Sequence, residues 1–494
     1  MLKSSSILVL LASVIFAALS MPSRSDAQKV TSALYTIQGD AKAVADKSSI
    51  ASVREAEIKF GASGQDLLAQ TRFTIPLFDG KSVEASVTGL EQRAADDITW
   101  RGKIHYAKVD GDVIVTFRKG FYAALIYGLD AAYEIVPRGD KHILVELDQA
   151  RFPACGGGIK GDEGTVRTSA SSNIVGFDSG DRIDVLVVYT TATKNILGGD
   201  AQAQAHAQAA VDAANTAYIN SKIRQRLRMV HSQEYLYTES GNSSTDLSNL
   251  RNDASIATLR NTHNADLVSE ISEVTGVCGI GYLMGAASGN QNNAFTVTAR
   301  SCAVGNLSFA HELGHNMGSQ HNPENGSGPT FPYGFGHYVN GSYRTVMSYV
   351  DPCPSGCTRV AYFSNPNVIF NGAPTGINNA RDNARSINNT ADTIAGYRYS
   401  GSSLMMLNYN SGIVIPRMIS QNFTWLSDNV TGNVRIDLSR DESTNWETLV
   451  ASTPNDGSEI ISILAPVTRR ARLRIVSLNN PTVSDSSTGN IIIR

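Results

Sequence analysis

The stretch Ala310-His-Glu-Leu-Gly-His-Asn-Met-Gly-Ser-Gln-His321 carries three imidazoles and a carboxylate at a spacing suited to metal chemistry. On a helix, His311 and His315 lie one turn apart and project from the same face, about 6 Å apart along the axis. Two nitrogens so placed can share one zinc ion at about 2.0–2.1 Å each. Glu312, one residue after the first ligand, can reach a water at that ion without ligating it. Gly318 has no Cβ, so the helix can end there in a left-handed turn, and His321 returns to give a third nitrogen. Three protein ligands leave one coordination position for water, which marks a catalytic rather than a structural site. Glu312 is then the general base. A bare His-Glu-x-x-His arises by chance, but Gly318 and His321 make five fixed identities in a chain with nine histidines. The other six histidines read as ordinary packed or exposed residues.

Such a helix needs a sheet to hold it. Ile183 to Tyr189 is an apolar, buried-type strand, and Asp200 to Ser221 is alanine-rich and helix-favouring, with Asp200 a candidate N-cap. Arg226 to Tyr237 reads as a strand, Thr245 to Thr262 as one helix bearing Leu247, Leu250 and Ile256, and Ala265 to Ile271 and Phe295 to Ala299 as further strands. Helix alternating with strand predicts an α/β domain with a mixed sheet. After Met347 the chain is loop-rich until a helix near Ala380 to Tyr397, where Ala384, Ile387, Ala391 and Ile394 are spaced to face a core.

The zinc stretch resembles the extended motif of the metzincin metallopeptidases, His-Glu-x-x-His-x-x-Gly-x-x-His followed by a methionine-containing turn. Met347, in Arg344-Thr-Val-Met-Ser-Tyr349, is similar to that turn's methionine. The resemblance implies that it packs beneath the ligands without coordinating; a plain core methionine is the alternative. The text from about 180 to 398 looks most like the reprolysin branch, and closer still like the bacterial peptidyl-Asp metalloendopeptidases of the endoproteinase Asp-N type. Tyr349 departs from typical reprolysins, which have proline there; astacins and serralysins have a tyrosine that can approach the metal. Tyr349 is thus either an oxyanion donor or a buried structural residue. The Asp-N resemblance implies cleavage on the N-terminal side of aspartate and hence a cation beside the scissile bond. Arg344, Arg359, Arg381 and Arg385 are candidates by proximity alone, each read first as a surface residue.

At 494 residues the chain exceeds one compact domain, and its formal charge of -3 argues against nucleic acid as a partner. Lys3, the apolar run Ile7 to Leu19 and Ser25-Asp26-Ala27 predict a cleaved export signal over 1–27. The run is short for a bilayer, which needs about 20 residues, and no later segment is apolar enough to span one. A secreted protein, free in solution and monomeric, is the expectation. Residues 28–178 read as a β-rich propeptide, with strands around Phe73-Thr-Ile-Pro-Leu-Phe, Asp112-Val-Ile-Val-Thr-Phe and His142-Ile-Leu-Val-Glu-Leu, ending in a Gly/Ser/Thr-rich linker from Cys155 to about Gly180. Residues 179–400 form the expected catalytic domain. Residues 401–494, with Asn433-Val-Arg-Ile-Asp-Leu and Arg470-Ala-Arg-Leu-Arg-Ile-Val, read as a small all-β sandwich.

Five cysteines leave one over. Cys278, Cys302, Cys353 and Cys357 allow three pairings; loop closure favours the local ones, Cys278–Cys302 and Cys353–Cys357. A Cys-x-x-x-Cys metal site is the alternative at the latter, disfavoured in an oxidising compartment. Cys155, in Phe152-Pro-Ala-Cys-Gly-Gly-Gly158, has no obvious partner, and its thiolate can take the open zinc position. This is similar to the cysteine switch of matrixin and reprolysin propeptides, and implies a latent precursor inhibited by its own propeptide. An incidental thiol is the alternative. The sequence therefore predicts a secreted, zinc-dependent peptidase acting on proteins or peptides. Its rivals are an exported adhesion or binding protein with a vestigial site, against which the intact Glu312 argues, and zinc hydrolysis of something other than peptide.

Overall fold

The structure, a computed structural model, describes residues 32–44, 50–61, 63–106, 109–127, 131–161, 178–409, 412–487 and 489–494. The expected export signal over 1–27 and most of the expected linker lie outside these residues.

The N-terminal region is a nine-stranded antiparallel sheet made of β1 (Tyr35–Ala43), β2 (Ser52–Phe60), β3 (Arg72–Pro76), β4 (Ser82–Ala94), β5 (Asp97–Tyr106), β6 (Val109–Arg118), β7 (Phe121–Tyr127), β8 (Ala132–Arg138) and β9 (Lys141–Leu147). Its order is β1-β2-β9-β8-β7-β6-β5-β4-β3. From β3 to β9 each strand pairs with the next, and β9 returns to β2. The pleat sends alternate side chains to opposite faces: Val113 and Val115 join the region's own core around Trp100, while Ile114 packs the other way.

That other face lies on the next region. A six-stranded mixed sheet contains β10 (Gly158–Lys160), β11 (Arg182–Thr190), β12 (Arg226–Tyr235), β13 (Leu267–Ser272), β14 (Gly279–Leu283) and β15 (Phe295–Ala299), in the order β10-β14-β15-β13-β11-β12. Only the β14–β15 pairing is antiparallel. Both faces of β11 are covered, as its apolar run from Val185 to Tyr189 requires. Ile183, Val185 and Val187 meet the helix Asp200–Asn220, whereas Leu186 and Val188 meet the helices Ser243–Asn252 and Ala254–Thr262.

The helix Asp200–Asn220 is buried nearly all round because it is sandwiched. It packs on β12 and also on β6, β7 and β8. Ala203, Ala207, Ala210 and Ala214 share one core with Leu125, Val145 and Leu147 of the N-terminal sheet; alanine is small enough to admit close layers on both sides. Asp212, fully buried on this helix, takes an ion pair from Arg93 at 3.2 Å and hydroxyl hydrogen bonds from Thr99 and Thr116.

The last region consists of two sheets enclosing one apolar cluster. Leu404, Phe423, Trp425 and Ile461 come from the three-stranded sheet, and Ile436, Leu438, Leu473 and Ile475 from the larger one. It contacts the middle region through polar groups, including Ser179 with Asp485 at 3.0 Å and Arg224 with Asp485 at 3.7 Å. No helix among the described residues is long and apolar enough to cross a membrane.

Two expectations need correction, and one strand was not foreseen. The single helix over Thr245 to Thr262 is two, broken at Asp253, whose backbone is extended and whose carboxylate accepts from the Ser255 and Ile256 amides to start the second. The beginning of the expected linker is ordered, since Gly158–Lys160 adds a strand to the middle sheet. The glycine-rich strand β14 carries too little β-branched sequence to be read in advance. The late helix falls as expected, at Asn383–Ala395, with Asp382 as N-cap.

Candidate metal centre

The helix Ser308–Asn316 is buried along its whole length and carries His311, Glu312 and His315. It ends at Gly318, whose φ is +84°; the Ser319 amide reaches back to Gly314 O at 2.9 Å. An L-residue with a Cβ is strained in that left-handed conformation. The reversal returns His321, and its Nε2 lies 3.1 Å from Nε2 of His311 and 3.0 Å from Nε2 of His315. Cys155 Sγ lies 3.8 Å from His315 Nε2, and the four donor atoms all fall within 4.8 Å of one another.

The opposite ring nitrogens are committed to main-chain carbonyls: His311 Nδ1 to Val346 O at 2.8 Å, His315 Nδ1 to Ser319 O at 3.1 Å, His321 Nδ1 to Asn325 O at 3.4 Å. A carbonyl only accepts, so each Nδ1 holds the proton and each Nε2 presents its lone pair to the shared centre. Three converging lone pairs repel one another unless a cation sits between them. Their separations approach the roughly 3.3 Å between nitrogens on one tetrahedral zinc, and three imidazoles plus a thiolate are zinc-type donors. The residues therefore fit that ion. Burial keeps the imidazoles neutral, pulling His315 down to about 4, His321 to about 2 and His311 well below its ordinary value.

Glu312 is completely buried, with Oε2 accepting from the Cys155 thiol at 3.4 Å and Oε1 lacking any hydrogen-bond partner. Burial raises its carboxyl to about 8. The Cys155 thiol is pushed up by burial and then by the Glu312 charge; a cation at Sγ acts in the opposite sense and favours thiolate.

The chain on either side of Cys155 threads along β14. The Cys278 amide donates to Ala154 O at 3.0 Å, and the Gly156 amide to Gly279 O at 2.7 Å, before Gly158–Lys160 pairs in parallel with Gly281–Leu283. A Cβ on Gly158 would stand 2.2 Å from the Leu283 side chain and 3.1 Å from His315 Nδ1, so any side chain here would force Leu283 to move. A cavity of about 660 Å³ adjoins the segment, bordered by Lys160, His321, Glu324, Asn325 and Tyr349.

Tyr349 is half-buried, its ring 4.2 Å from that of His321 and its hydroxyl donating to Cys155 O at 3.0 Å. Met347 is fully buried, with Sδ 2.6 Å from where a Cβ on Gly314 would stand, beneath the helix. Cys278 is bonded to Cys302 and Cys353 to Cys357; Cys155 is a free thiol. The first bridge ties the start of β14 to the turn of helix before the zinc motif.

Two of the four candidate arginines are not on the surface. Arg344 and Arg359 are 3% and 5% exposed, because their guanidiniums are held by main-chain carbonyls inside the Met347 turn. Arg381 pairs with Glu324 at 2.8 Å, and Arg385 is exposed over the Tyr333 ring. Sequence reasoning missed the three carbonyls that orient the imidazoles, since a carbonyl has no residue signature. It also missed Asn322, fully buried, whose Oδ1 accepts from the Tyr349 amide at 2.9 Å and the Ser348 hydroxyl at 3.2 Å. An asparagine directly after the third histidine was the available signal.

Residues 179–364 match the family described as metallo-peptidase family M12. The "Peptidyl-Asp metalloendopeptidase" of Stenotrophomonas maltophilia (strain R551-3) is 37% identical over 285 residues, 54% of this chain and 66% of that protein. Its namesake from Xanthomonas campestris pv. campestris is 35% identical over 282 residues, 54% of this chain and 65% of that protein. The protein of the same name from Pseudomonas fragi is 31% identical over 187 residues, 37% of this chain and 99% of that protein. The chain thus spans just under two thirds of the first two relatives and nearly all of the third.

Proposed function

Because this chain belongs to metallopeptidase family M12 alongside the peptidyl-Asp metalloendopeptidases, we propose that it is a secreted zinc endopeptidase made as a precursor that Cys155 keeps latent. The observation that carries this reading is the convergence of three Nε2 lone pairs beside a buried, half-unpartnered carboxylate.

His311, His315 and His321 would hold the ion, and Cys155 would fill its remaining position in the precursor. When bound, zinc supplies Lewis acidity, polarising a peptide carbonyl and acidifying a water. Glu312 takes the proton from the attacking water at its free Oε1 and hands it to the departing amine. Its raised proton affinity suits the first step, since a carboxylate near its ordinary value is a weaker base towards water. The oxidised local disulfides suit an exported protein. On this reading residues 1–27 are the signal, 28–178 the propeptide, 179–400 the catalytic domain and 401–494 an appended β-sandwich, in a monomer that needs no partner but its substrate.

Tyr349 has its hydroxyl on the Cys155 carbonyl in the latent form, and that donor is freed once the segment leaves. It then donates to the oxyanion developing on the scissile carbonyl. Tyr349→Phe should lower kcat of the processed enzyme roughly 10- to 100-fold with little change in KM; an unchanged turnover number would leave the residue a purely structural role.

The relatives' name points to aspartate, on whose N-terminal side cleavage should fall. A digest of a peptide library by the processed protein, with and without a chelator, tests the whole reading. Cuts clustered before aspartate, abolished by the chelator and restored by zinc, are expected. Undiminished cutting in chelator would remove the metal mechanism, whereas zinc-dependent cutting without an aspartate bias would remove the specificity alone.

A further inference from the structure

We propose that Arg359, backed by Arg344, is the cation that receives the side-chain carboxylate of an aspartate next to the scissile bond of the substrate. This rests on the endopeptidase reading above and names the residues that give it its substrate class.

Both guanidiniums are buried, and among the described residues neither forms an ion pair. Burying a charge without a counter-charge costs several kcal/mol, so buried cations normally have carboxylate partners. Of the other buried arginines of the same region, Arg300 pairs with Glu273 at 2.6 Å and Arg224 with Asp181 at 3.2 Å, while Arg260 has no ion pair but commits Nε, Nη1 and Nη2 to the carbonyls of Ala265, Gln291 and Asp266. Arg344 and Arg359 bond only to main chain. Arg344 Nη1 donates to Ser348 O at 3.0 Å, Arg359 Nη2 donates to the same carbonyl at 3.2 Å, and Arg359 Nη1 donates to Asn306 O at 2.9 Å. A guanidinium has five N–H donors. Arg359 commits two of them, and the buried Nε of each arginine has no partner. The uncommitted donors form a planar fork, the geometry that grips a carboxylate through two parallel hydrogen bonds.

The position is right for a group beside the reacting bond. Ser348 directly precedes Tyr349, and Asn306 stands just before the helix that carries His311 and Glu312. Cys155, Tyr349 and Glu312 are the titratable neighbours that Arg359 feels. Asp351, the acid that acts on Arg344, is hydrogen-bonded instead to Asn325 at 2.7 Å. Burial pulls Arg359 down to about 10 and Arg344 well below the ordinary arginine value, the direction expected of two cations short of an anion. Departure of the Cys155 segment opens this neighbourhood, and a substrate carboxylate supplies the missing counter-charge.

The test uses the full-length protein after its natural processing and two peptides that differ only in Asp or Asn after the scissile bond. Wild type should prefer the Asp peptide in kcat/KM. Arg359→Gln should lower kcat/KM for the Asp peptide by roughly 100-fold while changing the Asn peptide less than about 3-fold, because a charge-assisted fork is lost from one and not the other. Arg359→Lys keeps the charge without the fork and should reduce the Asp/Asn ratio at least about 10-fold; it carries the test if the glutamine variant does not accumulate. Zinc content, measured in each variant, should stay at one per chain. A fall in both peptides together, or a preserved ratio in either variant, overturns the assignment while leaving the aspartate preference standing. A wild type that treats the two peptides alike overturns the preference and the assignment with it.

Discussion

Glu312→Gln should eliminate peptide hydrolysis, by a factor of at least about 10³, while the protein should still bind one zinc per chain. The substitution keeps the shape of the side chain and removes its capacity to accept a proton, which is the whole of its assigned role. Glu312 makes no contact that the amide would lose at great cost: Oε1 has no partner and Oε2 meets only the Cys155 thiol. The imidazoles are oriented by Val346, Ser319 and Asn325, none of which touches Glu312, so metal affinity should survive. Turnover of a short peptide and metal analysis on the same preparation check both halves. Substantial hydrolysis by the glutamine variant would end the general-base assignment; loss of zinc together with activity would move Glu312 from proton transfer to metal retention.

Cys155→Ala should give a full-length, uncut chain that hydrolyses a short peptide at least about 100-fold faster than the wild-type precursor. Among the described residues, the thiol is the ligand-type group that the upstream segment brings to the imidazole nitrogens, and alanine has no donor atom. The gain should stop short of full activity. Gly156 stays bonded to Gly279 and Gly158–Lys160 stays paired with β14, so the cleft is opened at the metal and still crossed by backbone. Rates must be read before any chain cleavage, with the intact mass verified in the same sample. A variant as silent as the wild-type precursor would show that backbone occupancy, rather than the sulfur, imposes latency.

The zinc helix was legible because its information is local. The four-residue step and the glycine turn determine where His311, His315 and His321 point, whatever surrounds them. Cys155 was legible only as an unpaired cysteine; its approach from far upstream depends on hydrogen bonds to Cys278 and Gly279 that involve backbone alone. The burial of Arg344 and Arg359 could not be read, since arginine is ordinarily exposed and what holds these two is the carbonyl of Ser348 and that of Asn306. The alanines of Asp200–Asn220 announced a helix, but high helix propensity says nothing about how many faces are covered. Here both are, and the N-terminal sheet that covers one of them is joined to the middle region by a common core rather than by a tether.

That common core separates two events that zymogen activation usually merges. On the precursor reading, a cut between Gly156 and Arg182 would sever the polypeptide, yet would leave Leu125, Val145 and Leu147 seated against the alanine helix and Arg93 against Asp212. The nicked product would then be a complex of two fragments, with the N-terminal one still a tenant of the groove. Onset of activity would follow its dissociation or its destruction, and so would depend on dilution and on whatever other peptidases are at hand, not on the first cut.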